Sequence, residues 1–164
     1  MQPEKRMATD DTAELQLRSL IEKFDAREQA FIRSVRDAVR KRLPTANELV
    51  YDYGTFFVIG YSPNENPTDG IVSLAARPDG MRLYFMHGPK LPDPNKRLKG
   101  SGKETRFIHV EDANEMAHPD VEALFAATIE RASVPLPETG RGRLIIRTFA
   151  GKSLPRPKAK AKAN

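Results

Sequence analysis

Residues 95–110 read NKRLKGSGKETRFIHV, where a glycine pair is framed by Lys99 and Lys103. Glycines let backbone amides turn toward an anion, and lysines add charge, so Lys99, Gly100, Ser101, Gly102 and Lys103 form a candidate phosphate cradle. A nucleotide-hydrolase loop needs a further glycine five positions before Gly102 and a hydroxyl after the lysine. Arg97 and Glu104 occupy those positions, so that motif is excluded. The dinucleotide pattern is excluded as well, because no third glycine follows and a strand comes next. Six bases from Lys90 to Arg106 (Lys90, Lys96, Arg97, Lys99, Lys103, Arg106) against Asp93 and Glu104 leave anion binding as the chemistry of this loop. The ordinary alternative is a solvated polar connection.

Other chemical groups are more scattered. His87, His109 and His118 lie near Glu111, Asp112 and Glu115, a donor set suited to Fe, Zn or Mn but without the spacing of a ligand motif, so no metal site is assigned. Glu48, Tyr51 and Tyr53, with Tyr84 from another strand, could line a pocket; alternatively the tyrosine rings pack at the core edge with their hydroxyls in water. Arg33, Arg36 and Arg40 fall three and four apart and read as one basic helix stripe, able to grip phosphates or to form a solvated outer face. No Gly-x-Ser-x-Gly elbow or diagnostic carboxylate pair is present, so no catalytic residue is assigned.

The totals bound the class. At 164 residues the chain suits one domain plus tails. Zero cysteines exclude disulfides, thiol nucleophiles and thiolate metal sites, and no cofactor is implied. No run approaches the length of a bilayer span and no secretory leader is evident, so a soluble, cytoplasmic protein is expected. The net charge of +5 comes from the end of the chain. Residues 150–164 hold five bases (Lys152, Arg156, Lys158, Lys160, Lys162) and no acid, leaving 22 bases against 22 acids elsewhere. A weak, salt-dependent affinity for nucleic acid is the property that tail would add.

The elements that must position these groups are legible from periodicity. Residues 1–10 read as a flexible lead. Asp11 with Glu14 has capping-box spacing and opens a helix over about 12–23; Asp25 with Glu28 repeats the signal and opens a longer helix that stops before Pro44. Alternation then takes over: ELVYDY, TFFVIGYS, IVSLAAR, MRLYFMH and 105–110 read as strands, with Pro78, Asp79 and Gly80 closing a hairpin. Pro119 opens another helix carrying Val121, Leu124, Phe125 and Thr128 on one face, RLIIRTF is a final strand, and residues after Gly151 read as a disordered basic tail. The pattern predicts an α+β two-layer sandwich over 11–150, with helices on one face of a mainly antiparallel sheet.

The segments LIEKFDAREQAFIRSVRDAVRKRLPTANELVYDY, RLYFMHGPKLPDPNKRLKGSGKETRFIHVE and HPDVEALFAAT resemble the bacterial YdhG-like family of small domains of unknown function, some of which are described as frataxin-like iron chaperones. The resemblance covers about residues 14–150 and implies helices against an antiparallel sheet. It places the family's Pro-x-x-x-Glu-x-x-Tyr signature at Pro44, Glu48 and Tyr51 and its glycine–lysine turn at Lys99 to Lys103. Many relatives follow the tyrosine with Gly-Met-Pro, whereas Asp52, Tyr53 and Gly54 stand here, so a pocket built by that segment differs. The expected function is a non-enzymatic binding or accessory module for a small anionic ligand or a protein partner, with Lys99–Lys103 and Arg106 near the Glu48–Tyr53 strand. The alternatives are an iron-binding chaperone using carboxylates (Asp10, Asp11 and Glu14 are the early cluster) with His109 or His118, and a nucleic-acid accessory protein using the tail and the arginine stripe.

Overall fold

The computed structural model describes the backbone of residues 3–150 and 152–153, with side chains over 11–150. Two helices, α1 (Pro3–Ile21) and α2 (Ala26–Arg42), lead into β1 (Asn47–Asp52), β2 (Phe57–Ser62), β3 (Val72–Arg77), β4 (Gly80–Met86) and β5 (Thr105–Val110). Then come α3 (Pro119–Glu130), β6 (Leu144–Ile146) and a small hairpin of β7 (Thr148–Phe149) and β8 (Lys152–Ser153). The six-stranded sheet has the order β5-β4-β3-β2-β1-β6. All neighbours are antiparallel except β1 and β6, which are parallel. This is the α+β class that the sequence predicts.

The joint between the first helices forms as its residues dictate: the Asp25 carboxylate accepts the Glu28 amide at 2.8 Å and caps α2. The other capping pair does not start a helix. α1 reaches back to Pro3, so Asp11 and Glu14 sit inside it, and Glu14 has a different task described below. The run after Ser153 lies outside the described residues.

Alternate strand residues face the helices. Val50, Ile59, Leu74, Leu83 and Ile108 line up across five strands and pack with Leu17 and Leu20 of α1, Val35 and Val39 of α2, and Leu124 and Phe125 of α3 in one core. Burying each such side chain is worth about 1.5–3 kcal/mol, which fixes register, since a one-residue slip would put the whole row on the wrong face. Thr128, the polar exception on α3, donates its hydroxyl to the Met86 carbonyl at 2.8 Å.

The final strand is shorter than predicted and runs parallel to β1. After α3 the chain returns along the end of the sheet and enters beside the start of β1, pairing Glu48 with Leu144 and Val50 with Ile146. Gly142 permits this entry: a Cβ there would lie 1.6 Å from the Ala46 carbonyl oxygen. The ladder stops at Arg147 because the next β1 amide, that of Asp52, donates to the Thr148 hydroxyl at 2.8 Å instead of to a backbone carbonyl. Among the described residues, no helix is long and apolar enough to cross a membrane.

Candidate functional site

Glu48 lies on the helix-facing side of β1, opposite Tyr61 of β2. Arg36 faces it from α2. The Arg36 guanidinium donates from Nε to Glu48 Oε2 at 2.9 Å and from Nη2 to Oε1 at 2.8 Å, a two-pronged pair. The Tyr61 hydroxyl donates to Oε2 at 2.8 Å. The outer side of Arg36 is covered by Glu14 of α1, at 3.2 Å from Nη2. Arg40, one turn further along α2, stands 3.7 Å from Glu48 Oε1 and is 41% exposed.

This corrects the arginine stripe. Arg33 is exposed, but Arg36 is 8% exposed and belongs to the core, so the stripe is not one solvated face. The helix turns Arg36 toward β1, and the carboxylate waiting there makes its burial tolerable. Burial disfavours the guanidinium charge, yet hydrogen bonds and attraction from Glu48, with Glu14 behind, outweigh it and hold Arg36 above its ordinary range. Burial, then the charge and hydrogen bond of Glu48, push the Tyr61 hydroxyl well above its ordinary range. Three hydrogen bonds from Arg36 and Tyr61 thus engage both oxygens of Glu48.

A cleft of about 770 Å³ opens beside Glu48 and Glu14, between the end of α2 and the entry to β6. Arg40, Lys41, Arg141 and Arg143 line it together with Glu14, Asp37 and Glu48. Its rear wall is rigid: the Glu48 amide donates to the Arg143 carbonyl at 2.8 Å, the Gly142 amide to the Pro44 carbonyl at 3.1 Å, and the Arg143 amide to the Asn47 side chain at 2.9 Å. Lys41, Arg141 and Arg143 hold no ion pair among the described residues. The arrangement presents several uncommitted cations on a fixed polar floor, in the size range of ligand pockets.

The remaining predicted residues are spread widely. Tyr51 and Tyr84 lie on the sheet face turned away from the helices, and exposed Tyr53 stacks on Phe56 at 4.9 Å, so none of them joins Glu48. The glycine loop borders β5, four strand spacings or about 19 Å from β1, so it is not near the Glu48–Tyr53 strand. Within it, Lys99 exchanges both backbone hydrogen bonds with Phe107, at 2.7 and 3.1 Å. Gly100, at φ 99°, lets the chain turn against the Phe107 ring. Arg106 points to the opposite face and donates from Nε to the Gly102 carbonyl at 2.9 Å, while exposed Ser101 marks the tip. Arg97 is committed to Asp120 at 2.9 Å. Lys103 instead borders a smaller cleft, about 360 Å³, with Lys90, His87, Asp69 and Glu104. The six bases therefore point in several directions.

The histidines are apart too. His118 caps α3, its Nδ1 accepting the Asp120 amide at 3.0 Å, and His109 stands edge-on to Phe107 at 5.4 Å. His87 sits in a left-handed turn at φ 63°. Among the described residues, no group of three or more His, Asp or Glu side chains is placed to hold a metal ion.

Sequence reasoning missed Tyr61 and the Arg141–Arg143 wall. The signal for Tyr61 was present: a tight hairpin between ELVYDY and TFFVIGYS sets Glu48 opposite Tyr61 once its register is fixed. Arg141 and Arg143 had no local signal, since a parallel return strand brings them to α2. Compared with family models, curated proteins and solved structures, the chain matches none of them.

Proposed function

We propose that the protein is a non-enzymatic cytoplasmic binding module for a small anionic ligand, held in the cleft between α2 and β6. The observation that carries this reading is the placement of Arg40, Lys41, Arg141 and Arg143 around one concavity whose wall includes Glu48, a carboxylate already held from behind by Arg36 and Tyr61. A carboxylate held from behind stays fixed, and Lys41, Arg141 and Arg143, which hold no ion pair among the described residues, favour a ligand carrying negative charge. The YdhG-like assignment belongs to the same proposal and rests on the Pro44, Glu48, Tyr51 and Lys99–Lys103 segments.

A second place for the same chemistry is the smaller cleft where Lys103 of the glycine loop meets Lys90 and His87. Amide NMR during titration with inorganic phosphate separates the two. The reading expects shifts confined to residues 40–48 and 141–143. It also expects Arg141→Ala with Arg143→Ala to weaken binding by about tenfold or more, the scale of one to two charge-assisted hydrogen bonds. Shifts confined to 87–90 and 99–103 transfer the function to the glycine loop, and no shift at millimolar phosphate in either place overturns it.

A further inference from the structure

The face of the sheet turned away from the helices carries a patch unrelated to the cleft. On β4 and β5, Tyr84 lies opposite Phe107 and Arg82 opposite His109. The Tyr84 and Phe107 rings are 5.1 Å apart between centroids, and both are half-buried. Arg82 lies over the Phe107 ring at 4.7 Å and donates to the Tyr84 hydroxyl at 3.2 Å. The next strand inward is low: Ser73 stands opposite Tyr84 and Ala75 opposite Arg82, with Gly60 beyond Ser73. The two rings therefore rise from a floor of small residues.

The glycine loop completes the patch. Residues paired in an antiparallel ladder project to the same face, so the Lys99–Phe107 bridge sets exposed Lys99 on this face, beside Phe107 and on the side away from Tyr84. One row thus reads Ser73, Tyr84, Phe107, Lys99, with Arg82 and His109 in the row alongside. Gly100 makes this possible, because its positive φ turns the chain against the ring edge.

We propose that this surface binds single-stranded nucleic acid, with bases stacking on the Tyr84 ring and on the Arg82 guanidinium that lies over Phe107, and a backbone phosphate meeting Lys99. A half-buried ring and a guanidinium plane on adjacent strands, with an exposed lysine beside them, supply what unpaired bases need: a flat face for each base and charge for the phosphates between them. Duplex nucleic acid cannot use it, since its bases are stacked on each other. A peptide partner is disfavoured because the row offers cations and rings with no matching carboxylate or deep apolar pocket.

The test is fluorescence anisotropy on the full chain with a labelled short oligothymidylate and the same length of duplex, over a salt series. The single strand is expected to bind at least about tenfold tighter than the duplex. Tyr84→Leu and Phe107→Leu, which keep apolar cover over the sheet, are each expected to lose about tenfold in single-strand affinity while leaving duplex binding unchanged. Lys99→Ala should reduce the salt slope by about 0.7, one phosphate contact. Equal affinity for single strand and duplex assigns the binding to the basic end of the chain and overturns the proposal, as does full affinity in both leucine variants with unchanged circular dichroism. Absence of binding at low salt overturns it equally.

Discussion

Arg36 and Lys99 are both long cations beside the same sheet, Arg36 over β1 toward one end of it and Lys99 at the β5 edge, and the sequence marks both. Arg36 meets a carboxylate already inside the core, receives a second from α1, and becomes part of the fold. Lys99 exchanges backbone hydrogen bonds with Phe107, holds no ion pair among the described residues, and its charge stays in water. What a cation does here is decided by whether a carboxylate is buried within reach. One end of the sheet is a closed knot of charge with a cleft beside it; the other is an exposed basic and aromatic surface.

The comparison is broken most sharply at Glu48. Glu48→Ala strands Arg36 in the core with only half-exposed Glu14 and should cost about 3–5 kcal/mol in urea unfolding, whereas Lys99→Ala should stay within about 0.5 kcal/mol. Replacing the pair together, Arg36→Met with Glu48→Leu, should recover most of that loss, because the desolvation of both charges disappears with them. Equal costs for Glu48→Ala and Lys99→Ala would remove the distinction between the two ends.

Backbone tolerance separates the same regions on a smaller scale. Gly142→Ala forces the Ala46 carbonyl and the β6 entry apart and should cost about 1–3 kcal/mol in thermal unfolding. Ser101→Ala, at the exposed tip of the glycine loop, should be silent within about 0.5 kcal/mol.

A single hydroxyl tests the knot more finely. Tyr61→Phe removes one donor while Arg36 still holds both Glu48 oxygens, and should cost about 1 kcal/mol at neutral pH. The folded state raises the Tyr61 pKa above its ordinary value of about 10, so it keeps a proton that the unfolded chain gives up in alkali. That contribution is intact below about pH 10 and is lost as pH rises toward the folded-state value. Wild-type stability should therefore decline above about pH 10 more steeply than that of Tyr61→Phe, as read by denaturant midpoints across pH. Parallel profiles would show that the hydroxyl is not buried against Glu48.

Much of the frame was legible because it is local. The Asp25 cap, the Pro78–Asp79–Gly80 hairpin, the Pro119 start of α3 and the alternating rows of β2 and β4 each depend on residues a few positions apart, and each forms where its residues stand. Legibility failed where a local signal met a longer-range one. Asp11 with Glu14 has capping spacing, but the helix extends past it and Glu14 turns to Arg36 instead. RLIIRTF alternates like one strand, but β1 ends its ladder through Thr148.

The amino-acid order alone determined which segments are helix or strand and which faces are apolar, because propensity, caps and periodicity act over a few residues. Only the tertiary structure decided that Arg36 of α2, Glu48 of β1 and Tyr61 of β2 share one buried node, that Arg141 and Arg143 face Arg40, and that Lys99 stands beside Phe107 and far from Glu48. Those meetings follow from strand order, a parallel return strand and ladder register. All three are set by the shared burial of residues far apart in the chain, and no short stretch of sequence contains them.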